Sequence, residues 1–258
     1  MKTPVITYEN LITGLRKLEL PPNPILLTHL SLKSLGYVEG GALTVIRALL
    51  HICGNEGTLV MPTLTFGIVN EHAPVFDVKH TPTNTGHIPE VFRKLPDSKR
   101  SRHIFSSVAA IGKQAESIVS WHEDTPCGNG TPYHKIVEMG GYSLFIGAGF
   151  GSNSLFHVAE EFVHPPYLTY KTIENATVVD QDGRITNGSY RRYNCSQTGV
   201  VRHLAQMEAV YRDAGIVTET RLGEASVKLV GASDNFKISC ELLKRDPDFI
   251  LNKGETIK

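Results

Sequence analysis

Cysteine is scarce: Cys53, Cys127, Cys195 and Cys240 are the only four in 258 residues. They are scattered, with no C-x-x-C pair and no zinc-finger spacing, which excludes a disulfide framework and leaves free, buried thiols of a reducing cytoplasm as the expectation. Net charge is also missing. Lys plus Arg (26) balances Asp plus Glu (26), so the chain has no general field for nucleic acid or an anionic membrane. No apolar run approaches the roughly 20 residues that span a bilayer. Met1-Lys2-Thr3-Pro4 does not open a signal peptide. The expectation is a cytoplasmic protein without nucleic-acid or membrane partners. With no Pro/Ser-rich linker, charge block or internal repeat, residues 1–258 are expected to form one domain. A P-loop and a G-x-G-x-x-G turn are likewise absent.

What is present is an alternation of apolar runs and helical patterns, the signature of an α/β protein. Residues 25–30 read as a buried strand and residues 41–52 as a helix ended by Gly54. Residues 57–66 read as a strand bent by Pro62. Thr85 is placed to cap a helix running to Leu95, and residues 108–111 form a short strand followed by a helix through Trp121. Residues 142–146 make another strand, leading through Gly147, Gly149 and Gly151 into a helix over 154–163. The pattern then changes. Residues 169–196 are rich in Thr, Val and Tyr around Asp182-Gly183, a hairpin signal. A helix over 200–214, strands near 217–230 and a helix near 235–244 close the chain. The predicted fold is a central mixed sheet flanked by helices, with a small antiparallel sheet in the C-terminal half.

The most informative segment is Ser152-Asn153-Ser154-Leu155-Phe156-His157-Val158-Ala159-Glu160-Glu161. On a helix, Leu155, Val158, Ala159 and Phe162 share one face, and His157, Glu160, Glu161 and His164 the other. His and carboxylate three apart meet across one turn, so Glu160 can orient His157. The pair suits acyl transfer to an amine, because an alkylammonium must lose its proton before its nitrogen can attack. A solvated polar face with an ordinary ion pair is the plain alternative. A metal site from His157, Glu161 and His164 at i, i+4, i+7 is a further one, weakened by the absence of H-E-x-x-H. A second segment, His29-Leu30-Ser31-Leu32-Lys33-Ser34-Leu35-Gly36, joins a strand to a helix, where amides, hydroxyls and a lysine can hold phosphate. A polar connection without a ligand is its plain alternative.

Together these segments resemble the aminoglycoside 3-N-acetyltransferase family, which is distinct from the GNAT acetyltransferases. Residues 29–36 match its His-Ser-Ser-Leu-x-x-Leu-Gly, with Leu30 in place of a Ser. Glu56-Gly57-Thr58-Leu59-Val60-Met61-Pro62-Thr63, Thr81-Pro82-Thr83 and Ile88-Pro89-Glu90 follow in the family's order. His103, Ser107, Ala109-Ala110 and Gly112 match His-Pro-x-x-Ser-x-Ala-Ala-x-Gly, with Ile104 in place of Pro. Asn153, His157, Ala159 and Glu160 match Asn-x-x-x-His-x-Ala-Glu. The resemblance implies metal-free N-acylation from acetyl-CoA or a larger acyl-CoA, with His157 as general base and Glu160 its support. It implies coenzyme A contacts from His29, Leu30, Ser31, Leu32, Lys33, Ser34, Leu35 and Gly36, and further ones from backbone groups near Thr63, Thr65 and Ser107.

Aminoglycosides carry several positive charges and call for carboxylates, yet the chain has no acidic excess. Tyr190, Arg191 and Arg192 form instead a basic aromatic stretch with Tyr193, suited to phosphate and a stackable base. With Asn153 they are the expected acceptor contacts. The sequence reading therefore favours a nucleotide-linked amino-deoxysugar used for surface polysaccharide, and holds aminoglycoside acetylation, an antibiotic-resistance activity, as the alternative. It leaves a homodimer open.

Overall fold

The computed structural model describes residues 5–251, with the side chains at 197 and 198 left aside. The elements run α1 (Tyr8–Arg16), β1 (Ile25–Leu30), α2 (Leu32–Leu35), α3 (Gly41–Cys53), β2 (Thr58–Pro62), β3 (Val75–Asp77), α4 (His87–Phe92), β4 (Lys99–Arg100), β5 (Val108–Gly112) and α5 (Ala115–Val119). There follow α6 (Pro132–Glu138), β6 (Tyr142–Ile146), α7 (Phe156–Val163), β7 (Tyr170–Val179), β8 (Ile185–Tyr193), α8 (Met207–Asp213), β9 (Thr218–Leu222), β10 (Ala225–Gly231) and α9 (Ala232–Arg245).

A seven-stranded sheet has the order β4-β5-β2-β1-β6-β10-β9. Its centre is parallel, β1 pairing with β2 and with β6, while β5 and β10 flank it antiparallel. β1 is buried along most of its length and covered on both faces, as the centre of a parallel sheet is. Leu26 packs with α1 and α3 through Leu11, Leu15, Ile46 and Leu49. Leu27 points the other way, packing with Tyr133, Leu155 and Val158. The smaller sheet has the order β3-β7-β8. β7 and β8 form the expected antiparallel hairpin, but β3, from much earlier in the chain, adds to β7 in parallel.

Local expectations held where the punctuation was strong. α3 ends at Gly54 in the left-handed region (φ 69°), whose N–H donates to Leu50 and His51 carbonyls. They failed where side chains found other partners. Thr85 does not cap α4, whose N-cap is Gly86, because its hydroxyl donates to the Pro62 carbonyl (2.8 Å). The helix expected over 200–214 shortens to α8, preceded by a 3-10 turn at Leu204–Gln206. α1 and α6 were not foreseen at all.

Gly147 links the end of β6 to the region around His157. Its φ is 60°, and a Cβ there would lie 2.2 Å from Ser34 Cβ. Ser34 Oγ also donates to the Gly147 carbonyl (3.0 Å), locking α2 against the β6 turn. Gly147→Ala is expected to destabilise by roughly 1–3 kcal/mol. Denaturant melts check this, and a fully stable variant would refute it.

Candidate active site

The C-terminal ends of parallel β1, β2 and β6 converge on one edge of the sheet, where an open α/β sheet leaves its crevice. A cavity of about 580 Å³ opens there, lined by residues including Thr28, His29, Leu30, Leu64, Tyr133, His157, Arg192, Tyr193 and Arg202.

α7 places His157 at this cavity, its side chain 22% exposed, while Glu160 beneath it is fully buried. The His157 Nδ1 faces Glu160 Oε2 at 2.5 Å. A carboxylate accepts, so Nδ1 carries the hydrogen and the lone pair belongs to Nε2. Glu160 also accepts from Tyr167 Oη (2.7 Å) and Arg202 Nη1 (2.9 Å). Burial alone would raise its pKa, but the charge and hydrogen bond of His157, with Arg202 and Tyr167, hold it below the ordinary carboxylate range. Tyr193 flanks the imidazole with ring centroids 5.1 Å apart, and the Arg202 guanidinium lies over the Tyr193 ring at 5.1 Å.

The opposed faces predicted for α7 are redrawn by this packing. Glu160 and Glu161 are buried, whereas Phe162 is 45% exposed. Glu161 does not join His157. It accepts from the Thr125 hydroxyl, the Cys127 amide (2.7 Å) and Tyr193 Oη (2.7 Å). His164 is the left-handed C-cap of α7 (φ 51°). The carboxylate thus anchors a loop and the three side chains do not converge. Among the described residues no three His, Cys, Asp or Glu groups are placed to hold a metal.

Within the segment expected to hold coenzyme A, His29 and Leu30 line the cavity. Leu35 is core, Leu32 packs against that core, Ser34 is tied to Gly147 and Lys33 is exposed. Ser31 gives its N–H to the Ile146 carbonyl and precedes α2, and Gly36 (φ 82°) ends that helix. Thr63, Thr65 and Ser107 do not reach the cavity: all are fully buried behind β2. Arg100 donates to Thr63 Oγ1 (3.1 Å), the Thr63 carbonyl (2.9 Å) and Ser107 Oγ (3.2 Å). The Thr65 hydroxyl donates to the Ile104 carbonyl, and the Thr63 and Thr65 amides are spent on Ser107 and Phe105 carbonyls. Their hydroxyls serve a buried guanidinium and a loop.

The expected acceptor residues also separate. Asn153 is fully buried, its amide joined to Tyr211 (3.3 Å) and Asn235 (3.2 and 3.3 Å), so it fastens the loop before α7 to α8 and α9. Tyr190 is buried between the small sheet and Phe105. Arg191 turns away to Asp124 (2.7 Å). Arg192 does face the cavity, paired with Glu71. Strand alternation divides this stretch, which composition alone treated as one patch. Sequence reasoning missed Tyr167, Tyr193 and Arg202 as partners of the central pair. Tyr167 follows the Pro165-Pro166 turn and was findable from α7. Arg202, 42 positions from Glu160, carries no local signal.

Three imidazoles near the site are held neutral. Burial, with a smaller contribution from His157, lowers His29 to about 3. Burial likewise lowers His122 to about 3, and His103 lies well below its usual value. His103 accepts from the Phe105 and Ser106 amides and faces the Arg191 carbonyl, while His122 bridges Ser101 and the Pro126 carbonyl. Folded pKa values below the unfolded 6.5 mean the unfolded chain binds more protons in acid. This stability is complete above about pH 6.5 and is lost as pH falls toward 3. Urea denaturation is expected to show lower stability at pH 5.5 than at pH 7.5, by on the order of a few kcal/mol, and equal stability would refute it.

The family model for aminoglycoside 3-N-acetyltransferase matches residues 27–244. The SPbeta prophage-derived aminoglycoside N(3')-acetyltransferase-like protein YokD of Bacillus subtilis is 34% identical over 175 residues, 60% of this chain and 64% of that protein. The match thus spans a little under two thirds of that relative. Aminoglycoside N(3)-acetyltransferase IV of Salmonella sp is 30% identical over 95% of this chain and 90% of its own length. The crystal structure of the aminoglycoside acetyltransferase AAC(3)-IVa apoenzyme superposes with a TM-score of 0.81 at 28% identity, covering 97% of this chain and 93% of that one.

Proposed function

The chain belongs to the aminoglycoside 3-N-acetyltransferase family and is by that membership an acyl-CoA-dependent N-acyltransferase, and on that premise we propose that His157 is the base that frees the acceptor amine for attack. The observation carrying this reading is the buried Glu160 carboxylate on His157 Nδ1, at the mouth of the cavity. It leaves the Nε2 lone pair to take the amine's proton and stabilises the imidazolium that results. Arg202 and Tyr167 keep Glu160 ionised and immobile.

Coenzyme A supplies the activated acyl thioester. The cavity suits its pantetheine arm, which alternates amides with methylenes. Leu30, Pro62, Leu64 and Phe66 offer apolar surface, and Thr28 Oγ1 and His29 Nε2 are buried polar atoms without a protein partner. Residues 1–258 would act as one domain.

For the acceptor, the relatives' names support an aminoglycoside amine, against the sequence reading's first preference. One observation favours the second reading, a nucleotide-linked amino sugar. Among the described residues the cavity lining holds two arginines, Arg192 and Arg202, and no carboxylate. Both are ion-paired, with Glu71 and Glu160, so the lining offers a polycation no unpaired carboxylate to bind. Thiol release from acetyl-CoA and longer acyl-CoAs, with aminoglycosides and nucleotide-linked amino sugars in parallel, decides between them. Turnover of aminoglycosides alone removes the second reading, and the reverse removes the first. Turnover of neither class, with any acyl-CoA, would count against the proposal.

A further inference from the structure

The reaction needs more than a base. As the amine nitrogen bonds to the thioester carbon, the carbonyl π pair moves onto oxygen, and a fixed hydrogen-bond donor there lowers the barrier. The pair returns as the C–S bond breaks, and sulfur receives the proton that His157 took from nitrogen.

Most donors at the cavity are already engaged. Arg192 is held by Glu71 and Arg202 by Glu160. Tyr193 Oη donates to Glu161, Tyr133 Oη to the Ser106 carbonyl, Thr85 Oγ1 to the Pro62 carbonyl and Ser152 Oγ to the Gly149 carbonyl. Two lining side chains, both more than nine-tenths buried, have an unpartnered polar atom: Thr28 Oγ1 and His29 Nε2. Successive residues of β1 point to opposite faces. Thr28 shares the face of Leu26, toward α1 and α3. His29 shares the face of Leu27, which packs against Leu155 and Val158 at α7. His29 is therefore on the side of the sheet from which His157 projects. Its ring is stacked on Phe145, with centroids 5.1 Å apart and planes 13° from parallel, so its orientation is set before any ligand arrives.

We propose that His29 is a second catalytic imidazole, an uncharged hydrogen-bond donor to the acyl carbonyl oxygen. This rests on the acyl-transfer reading above and gives one residue of the coenzyme A segment a role in the chemistry. In the proposed role the neutral ring carries its hydrogen on Nε2, and burial keeps the ring uncharged through the working range. It can donate without competing with His157 for the amine's proton. An unpaired polar atom inside a protein is costly, and the acyl oxygen would supply the missing partner.

Two variants separate this role from packing. His29→Phe keeps an aromatic ring on Phe145 and removes the donor, and His29→Gln retains an N–H. His29→Phe is expected to lower kcat roughly 100- to 1,000-fold with KM for acyl-CoA within about threefold, and His29→Gln to recover part of the loss. Infrared spectra of carbonyl-labelled acyl-CoA bound to His157→Ala protein give a readout independent of turnover. The carbonyl band should move to higher wavenumber when His29→Phe is added. An unmoved band, or a folded His29→Phe enzyme with near wild-type kcat, overturns the inference. If His157→Ala is dead while His29→Phe is fully active, only this inference fails. If His157→Ala is itself active, the acyl-transfer reading fails instead.

Discussion

His157→Ala is expected to lower kcat/KM for sugar-amine acylation by roughly 100- to 10,000-fold, the range for loss of a positioned general base. The fold should tolerate the change. The side chain is 22% exposed, and Glu160 keeps Tyr167 and Arg202 as partners when the imidazole is gone. Melting temperature and coenzyme A affinity are therefore expected to stay near wild type. The residual activity should rise with pH, because the acceptor amine then sheds its proton to water and no longer needs the base. A variant with native turnover at neutral pH would remove His157 from the mechanism.

Glu160 carries the second large effect, and it divides between activity and stability. Glu160→Gln keeps the shape but loses the charge that stabilises the imidazolium and fixes the proton on Nδ1. We expect kcat to fall roughly 10- to 100-fold, less than for His157→Ala, since the base itself survives. Glu160→Ala should in addition destabilise by roughly 3–5 kcal/mol, because it leaves a mostly buried guanidinium, Arg202, without its carboxylate. Replacing Arg202 by Met in the Glu160→Ala background should restore much of that stability. Urea denaturation of the single and double variants gives the coupling. Additive losses, or an unchanged Glu160→Ala midpoint, would show that the pair does not hold this part of the structure.

Much of this molecule is legible from residue order. β1, α3, β6 and the β7–β8 hairpin follow from mainly apolar runs, a glycine stop and an Asp-Gly turn, all decided within a few residues of the chain. The spacing of His157 and Glu160 is likewise a local fact, since three residues on any helix make one turn. The choice of helix over solvated surface was not local. Glu160 and Glu161 belong to a polar face in sequence, and both are buried because Tyr167, Arg202, Tyr193 and the 125–127 loop come to meet them.

The same division explains the residues that moved out of the site. The hydroxyls of Thr63 and Ser107 are taken by Arg100, a guanidinium that draws its hydrogen bonds from the interior, and that of Thr65 by the Ile104 carbonyl. Tyr190, Arg191 and Arg192 read as one patch until the strand's two-residue period turns Arg191 to a surface ion pair and leaves Tyr190 and Arg192 on the other face, one in the core and one at the cavity. The sequence by itself determined β1, α3, β6, the β7–β8 hairpin and the His-carboxylate pair, because short-range sterics and periodicity decide those. Only the tertiary structure decided which polar groups face the cavity and which are consumed inside. A hydrogen-bond partner is chosen by distance in space, and Arg202 reaches Glu160 across 42 residues that no periodic pattern connects.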